Sequence, residues 1–196
     1  MNIVDRAKNI ILTPKTEWPV IAGEDPVAGQ IISGYVIPLA LIPAVATMLG
    51  LGLIGRGMLT SFTAGIAMAI VSFIAAVAGV YLTAFVIDYL APNFGSQRNF
   101  GRSMQLVAYS YTPAWLAGIL TIIPALGVLV LIAGLYGLYL LYLGLPHTMK
   151  TPQDKVVPYM VVSIIVLIIV YFVLTAILTM VVFGIFGLSA MSMMGS

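Results

Sequence analysis

Asp88 is the residue in this chain best suited to acid–base or ion chemistry. It is the only acidic residue at the edge of a long apolar segment. Ionisable groups at membrane depth are costly to place there and are often functional. Two interpretations are open: Asp88 binds a proton or a cation, or it forms an interfacial ion pair with Arg98, Arg102 or Lys155.

Hydroxyl-bearing side chains form two groups within the apolar segments. One group surrounds Pro113, which frees a backbone carbonyl that must find a partner inside a helical bundle. The other repeats every three residues and therefore drifts slowly round one side of a helix. With Asp88, these groups make up the candidate polar or ion site: Tyr109, Tyr111, Thr112, Tyr136, Tyr139 and Tyr142. They either line a polar path or pack against neighbouring helices with their hydroxyls bonded to backbone carbonyls.

Motifs for nucleotide, metal or hydrolytic chemistry are missing from the sequence. Gly50, Gly52 and Gly55 match the dinucleotide fingerprint G-x-G-x-x-G, but that motif works only between a strand and a helix, and here it ends an apolar segment. His147 is the sole histidine, and the chain has no cysteine. The sequence therefore predicts no enzyme, no cofactor, no metal site and no nucleic-acid partner.

The elements that position these residues must be membrane-spanning helices. Of the 196 residues, 62% are hydrophobic and 7% are charged, and the mean hydropathy is +1.15. A soluble domain carries roughly 25% charged residues. About 20 apolar residues cross the hydrocarbon core, and five segments are long enough. The predicted spans are residues 30–54, 62–87, 103–122, 124–145 and 157–188.

Residues 1–29 form a short arm of mixed composition. Ile3, Ala7 and Ile10 recur at helical spacing opposite charged residues, which predicts an amphipathic helix. Trp18 suits the headgroup level of a bilayer. Two placements are open for the arm: on the bilayer surface, or packed beneath the bundle as a small cap.

The distribution of basic residues predicts the orientation. With five spans, seven of the eight Lys and Arg residues lie on the side of the amino terminus, and Arg56 alone lies on the other. Cytoplasmic segments carry the excess of basic residues. The sequence therefore predicts a cytoplasmic arm (1–29), a five-span domain (30–188) and an extracytoplasmic tail (189–196).

The fourth predicted span and the loop after it resemble the Yip1 family. The resemblance lies in residues 136–146, YGLYLLYLGLP, followed by Met149-Lys150-Thr151-Pro152 and Lys155. It extends to Tyr109-x-x-Thr112-Pro113 and to Trp18. It implies an all-α, polytopic bundle of five transmembrane helices with a cytoplasmic amino terminus. The eukaryotic members' association with Rab GTPases is not carried over, because this chain lacks their Asp-Leu-Tyr-Gly-Pro motif. The short arm is similar to the prokaryotic branch, which implies a bacterial inner membrane.

Two functions remain open at this point. The first is a non-enzymatic scaffold or adaptor for membrane organisation or trafficking that binds the lipid bilayer, a membrane-protein partner or a second copy of the chain. Its candidate contacts to anionic headgroups are Arg98, Arg102, Lys150 and Lys155. The second is a small channel or transporter with a polar path near Asp88, Tyr111 and the tyrosines of the fourth span.

Overall fold

The described chain is helical and contains no strand. The computed structural model describes residues 2–54, 58–123, 126–170 and 172–173, with side chains for all of these except 51–54 and 58–64. Across these ranges the elements are α-helices joined by short 3₁₀ and π-helical turns. The predicted all-α fold class is confirmed.

The amino-terminal arm forms a helical hairpin of α1 (Ile3–Leu12) and α2 (Pro14–Ala22). The Asn2 side chain accepts a hydrogen bond from the Val4 N–H at 3.1 Å and so caps α1. Pro14 occupies the start of α2, where a missing N–H costs no helical hydrogen bond. The sequence Thr13-Pro14 therefore ends one helix and begins the next.

The first span is a helix with one widened turn. It consists of α3 (Ala28–Ile31), a π-helical turn (Ile32–Val36) and α4 (Ile37–Ile54). The π turn lies directly before Pro38, whose ring would clash with the carbonyl of Gly34 in a regular α-helix. The extra residue in the turn keeps the span continuous past this proline.

The third predicted span, residues 103–122, is not a single helix. After α5 (Met58–Leu90) and a 3₁₀ turn (Ala91–Phe94), the chain forms α6 (Phe100–Ser110), α7 (Thr112–Ala117) and a second 3₁₀ turn (Gly118–Ile122). The break falls at Tyr111, because Pro113 has no N–H to donate to the Tyr109 carbonyl.

Two long helices complete the bundle, α8 (Gly127–Thr148) and α9 (Gln153–Val170). The described residues thus contain four continuous helices of membrane-spanning length and apolarity, Ala28–Gly50, Gly65–Phe94, Gly127–Thr148 and Gln153–Val170. The prediction of five continuous spans is corrected to four, because Pro113 and the 3₁₀ turn interrupt the remaining one.

The broken segment α6–α7 runs beside the first span along its whole length. A Cβ on Gly101 would lie 2.5 Å from the Pro26 carbonyl oxygen, and one on Gly118 would lie 2.6 Å from the Pro43 Cβ. At the far end, a Cβ on Gly50 would lie 2.9 Å from the backbone of Ile122. The two segments therefore run in the same direction, with glycines at the points of closest approach.

Several predicted features fall outside the described residues. They are Gly55 of the glycine motif, Arg56, the end of the fifth predicted span and the predicted tail 189–196.

Candidate functional site

Two loops meet at one end of the bundle and are hydrogen-bonded to each other. The Gln97 N–H donates to the Met149 carbonyl at 2.8 Å, and the hydroxyls of Ser96 and Thr151 lie 2.9 Å apart. Gly95, at φ +67°, supplies the left-handed turn that brings the first loop against Pro152. We call these residues, 95–99 and 149–152, the loop platform.

The loop platform carries basic side chains that face outward. Arg98 and Lys150 lie on the two bonded loops and are exposed, and the exposed Lys155 follows in the first turn of α9. Lys155 contacts only Asp154, at 4.0 Å, among the ion pairs of the described residues. Three of the four predicted headgroup contacts are therefore held at one end of the molecule.

Arg102, the fourth predicted contact, has a different environment. Its guanidinium donates to the Gln105 side chain at 3.2 Å and to the Ile21 carbonyl at 3.5 Å. The Gln105 amide donates to the same carbonyl at 3.5 Å. Arg102 therefore helps to fasten the end of α2 to α6.

Asp88 is paired with Arg98. The Arg98 Nε donates to one Asp88 carboxylate oxygen at 3.0 Å. Asp88 is 6% exposed, and its other carboxylate oxygen is buried without a hydrogen-bond partner in the described part of the chain. Of the two interpretations of Asp88, this geometry corresponds to the interfacial ion pair.

The residues around Pro113 separate into two environments. The Tyr35 hydroxyl bonds to Thr112 at 2.8 Å, and the Tyr35 ring meets the Tyr109 ring edge-on with centroids 4.7 Å apart. Tyr111 faces elsewhere, and its hydroxyl lies 3.3 Å from that of Thr83. The structure thus joins Tyr109 and Thr112 through Tyr35 and separates both from Tyr111.

The tyrosines of α8 do not form a seam with Asp88. The Tyr136 hydroxyl donates to the Ile11 carbonyl at 2.7 Å. Tyr139 and Tyr142 are exposed on the outer surface of α8. The rings of Tyr136 and Tyr139 lie 5.7 Å apart between centroids, but the structure does not bring Asp88, Tyr111 and these tyrosines together.

The arm packs into the side of the bundle. Tyr136, which bonds to the arm, lies at the middle of α8. The hairpin therefore extends along α8 as far as the middle of that helix. The indole of Trp18 is fully buried, so it packs inside the molecule and does not face lipid, and its predicted place at the headgroup level stays a prediction. A Cβ on Gly144 would lie 2.7 Å from this indole, so the ring fits only because position 144 has no side chain.

A buried ion cluster in the arm was missed by the sequence reasoning. Arg6 is buried and donates to Glu17 at 2.5 Å and also to Glu24. Its guanidinium lies over the Tyr109 ring, 5.4 Å from the centroid. The sequence contains a signal for this cluster: Arg6 lies on the same helical face as Ile3 and Ile10, the face that was expected to be buried. Beside the cluster is a polar cavity of about 280 Å³ whose walls include Glu24, Asp25, Gln30 and Gln105.

An apolar groove of about 820 Å³ lies between the first span and α5. Its walls include Ile32, Ile37, Phe73, Val77 and Phe85. Ile32, the first residue of the π-helical turn, lines this groove. Within the described residues, no group of three or more His, Cys, Asp or Glu side chains is placed to hold a metal ion.

Comparison with known proteins places this architecture in a family. The Yip1 domain profile matches residues 8–177. The chain is 26% identical over 151 residues to Inner membrane protein YohC of Escherichia coli (strain K12), covering 72% of this chain and 77% of that protein. The same values hold for YohC of Escherichia coli O6:H1 (strain CFT073). No solved structure matches. With its apolar helices of membrane-spanning length, the chain is a multi-pass membrane protein that belongs to the Yip1 domain family.

Proposed function

We propose that this protein is a non-enzymatic scaffold of a bacterial inner membrane that binds anionic lipid headgroups at its loop platform. The observation that carries the proposal is the pair of hydrogen-bonded loops that holds Arg98 and Lys150 at one end of the bundle, next to Lys155. A Lys or Arg near an anionic membrane surface contributes about 1 kcal/mol of attraction. Because the loops are already bonded to each other, little ordering free energy opposes binding.

The proposal includes five crossings of the bilayer, with the loop platform on the cytoplasmic side. The two bonded loops lie at opposite ends of the segment from α6 to α8. If α8 crosses the bilayer, the segment α6–α7 must also cross it for these loops to meet. Its course beside the first span supports the same conclusion, since Gly101 and Gly118 contact Pro26 and Pro43 in register.

The apolar groove supports lipid binding from the membrane side. It lies between two spans and is lined mainly by aliphatic and aromatic side chains. An acyl chain can pack against such a wall by dispersion contacts. In this proposal the loop platform selects the charge of the headgroup, and the groove accepts the tail of a neighbouring lipid.

The lipid role is tested by neutralising the exposed lysine of the platform, Lys150, together with the neighbouring exposed Lys155. Lys150→Gln with Lys155→Gln removes about 2 kcal/mol of attraction, so affinity for phosphatidylglycerol should fall about 30-fold. Affinity for phosphatidylcholine should not change. Native mass spectrometry of detergent-purified protein, titrated with either lipid, measures both.

The matched control neutralises two exposed lysines of the arm, Lys8→Gln with Lys15→Gln. It removes the same charge from a surface outside the platform and should leave lipid affinity within about twofold of the wild type. Equal losses in the two double variants, or no preference for phosphatidylglycerol in the wild type, would contradict the proposal.

The alternative function, a small channel or transporter, has less support from the geometry. Asp88 is paired with Arg98, and Tyr111 lies next to Thr83. Tyr136 is bonded to the arm. A transport path through these residues would need them to share one cavity, and they have separate partners.

A further inference from the structure

A second, smaller cavity lies inside the bundle and is separate from the loop platform. It has a volume of about 230 Å³ and lies where the break at Tyr111 faces α5, α8 and α9. Gly137, on its wall, is at the middle of α8, so the cavity lies at mid-height in the bundle. Most of its lining surface is apolar, and among the described residues no charged side chain lines it.

Two serines that line this cavity have buried hydroxyls without a hydrogen-bond partner in the described part of the chain. Ser110 is 3% exposed and Ser163 is 2% exposed, and neither Oγ is bonded to another described residue. A serine or threonine in a helix ordinarily donates to the carbonyl three or four residues earlier. Other helical residues of this chain do so: Ser33, Thr47, Ser72, Thr83, Ser103, Thr121 and Thr148.

From these observations we infer that the cavity between α5, α8, α9 and the break at Tyr111 binds a small neutral molecule with an apolar body and one oxygen that hydrogen-bonds to Ser110 or Ser163. An unpaired buried hydroxyl costs free energy, and a ligand oxygen removes that cost. The absence of charge on the wall favours a neutral molecule over an ion. At about 30 Å³ per water molecule, the volume is equal to roughly eight waters, which sets the size of the ligand.

Water alone is a poor occupant of this space. A buried water molecule needs two to four polar partners. The described wall has four hydroxyls, and that of Thr83 already donates to the Gly79 carbonyl, so water molecules enough to fill the cavity would be short of polar partners. The aliphatic part of the wall is better filled by an apolar group. Tyr111 is 37% exposed and also lines the cavity, so its ring extends from the cavity to the outer surface of the bundle, where a lipid-soluble molecule is concentrated.

The inference is tested with 4-bromobutan-1-ol, whose bromine quenches tryptophan fluorescence at short range. Trp115 is a nearby reporter, because its ring centroid lies 5.9 Å from that of Tyr111. In detergent-purified protein we expect a saturable quenching component in addition to the linear component from probe dissolved in the micelle. Ser110→Ala with Ser163→Ala should raise the half-saturation concentration about fivefold, because a hydrogen bond is lost.

A second probe isolates the hydrogen bond from simple filling of the cavity. 1-Bromobutane has the same carbon chain without the oxygen. Its affinity should be the same in the wild type and in the double serine variant, because it has no oxygen that could bond to the serines, whereas the affinity of the alcohol should fall. An alcohol affinity unchanged by the double variant would overturn the assigned role of the serines and with it the inference.

Filling the cavity provides an independent test with a matched control. Gly134 lines the cavity and has no atom within 4 Å of where its Cβ would be, so Gly134→Leu fills the space and should abolish the saturable component. Gly127 is on the same helix and equally open but does not line the cavity, so Gly127→Leu should behave as the wild type.

Saturable quenching retained in Gly134→Leu, or no saturable quenching in the wild type, as expected of a cavity that holds only water, would overturn the inference. Circular dichroism and elution volume show whether Gly134→Leu is folded. If it is not, the double serine variant and the two probes decide the question.

Discussion

The two members of the Asp88–Arg98 ion pair lie in different environments. Asp88 is buried, whereas the Arg98 side chain is 58% exposed. The aspartate therefore depends on the arginine for compensation of its charge, while the arginine has water as an alternative partner. For such a pair, the cost of removing one member depends on which member is left behind.

We accordingly expect Arg98→Gln to destabilise the protein more than Asp88→Asn. Arg98→Gln leaves a buried carboxylate without its partner and should cost about 1–3 kcal/mol. Asp88→Asn leaves an exposed guanidinium and should cost about 1 kcal/mol or less. The midpoint of unfolding in detergent, followed by circular dichroism, measures both variants.

Lys155→Gln is the control, because its contact with Asp154 is long and both side chains are exposed. It should leave the midpoint unchanged. A larger loss in Asp88→Asn than in Arg98→Gln would show that Asp88 has a role other than pairing with Arg98.

The arm hairpin is held to the bundle by contacts from two helices, α8 and α6. Trp18 packs against Gly144 of α8, and the Ile11 carbonyl accepts a hydrogen bond from Tyr136. The Ile21 carbonyl accepts hydrogen bonds from Arg102 and Gln105 of α6. The arm is thereby part of the bundle, and its position depends on the absence of a side chain at residue 144.

A side chain at position 144 should release the arm. A Cβ there would lie 2.5 Å from the Leu106 Cδ1 and 2.7 Å from the indole of Trp18. Overpacking of this kind costs about 1–3 kcal/mol, so Gly144→Leu should increase the fraction of undocked arm about tenfold. The chain has no cysteine, so the buried position Ala7→Cys is a unique label site. The rate of maleimide labelling of this cysteine measures undocking.

Gly79→Leu serves as the control in the same Ala7→Cys background, since no atom lies within 4 Å of where its Cβ would be. It should leave the labelling rate unchanged. Equal labelling rates in Gly144→Leu and in its parent would show that Trp18 does not hold the arm in place.

At the scale of the whole molecule, the hydrogen bonds between the two platform loops constrain how often the chain crosses the bilayer. Gln97 and Met149 are joined by a backbone hydrogen bond, although α6, α7 and α8 separate them along the chain. Two loops that meet are on the same side of the bilayer, so the chain between them must cross the bilayer an even number of times. The proposed topology follows from this requirement, with α6–α7 as one crossing and α8 as the other.

Single cysteines at Gln97, Gln153 and Ser196 test this topology in intact bacterial cells. In the proposed arrangement, a membrane-impermeant maleimide labels Ser196→Cys in intact cells and labels Gln97→Cys and Gln153→Cys only after permeabilisation. Labelling of all three in detergent is the control for reactivity. Labelling of positions 97 and 153 from opposite sides would contradict a crossing by α6–α7.

The sequence by itself determined the class of the protein. The apolar content, the scarcity of charge and the lengths of the apolar segments are each properties of many residues together. They therefore indicate a bundle of membrane helices without knowledge of any contact. The break of the third span at Tyr111 was harder to predict. Pro38, Pro43 and Pro113 all interrupt helical hydrogen bonding, but the first span stays continuous through a π turn and the segment containing Pro113 does not. Which result follows depends on the neighbours that satisfy the freed carbonyls.

Only the tertiary structure decided which side chains act together. Tyr109 and Tyr111 are two residues apart in one motif, yet the first packs against Tyr35 and the second lies next to Thr83. Ser110 and Ser163 have no special spacing, and they become notable only because the cavity between their helices leaves them without partners. Hydropathy reports the solvent that a segment prefers, and that preference is local. A hydrogen bond across 50 or more residues requires the packed bundle, and this is why the pairing could not be derived from the sequence.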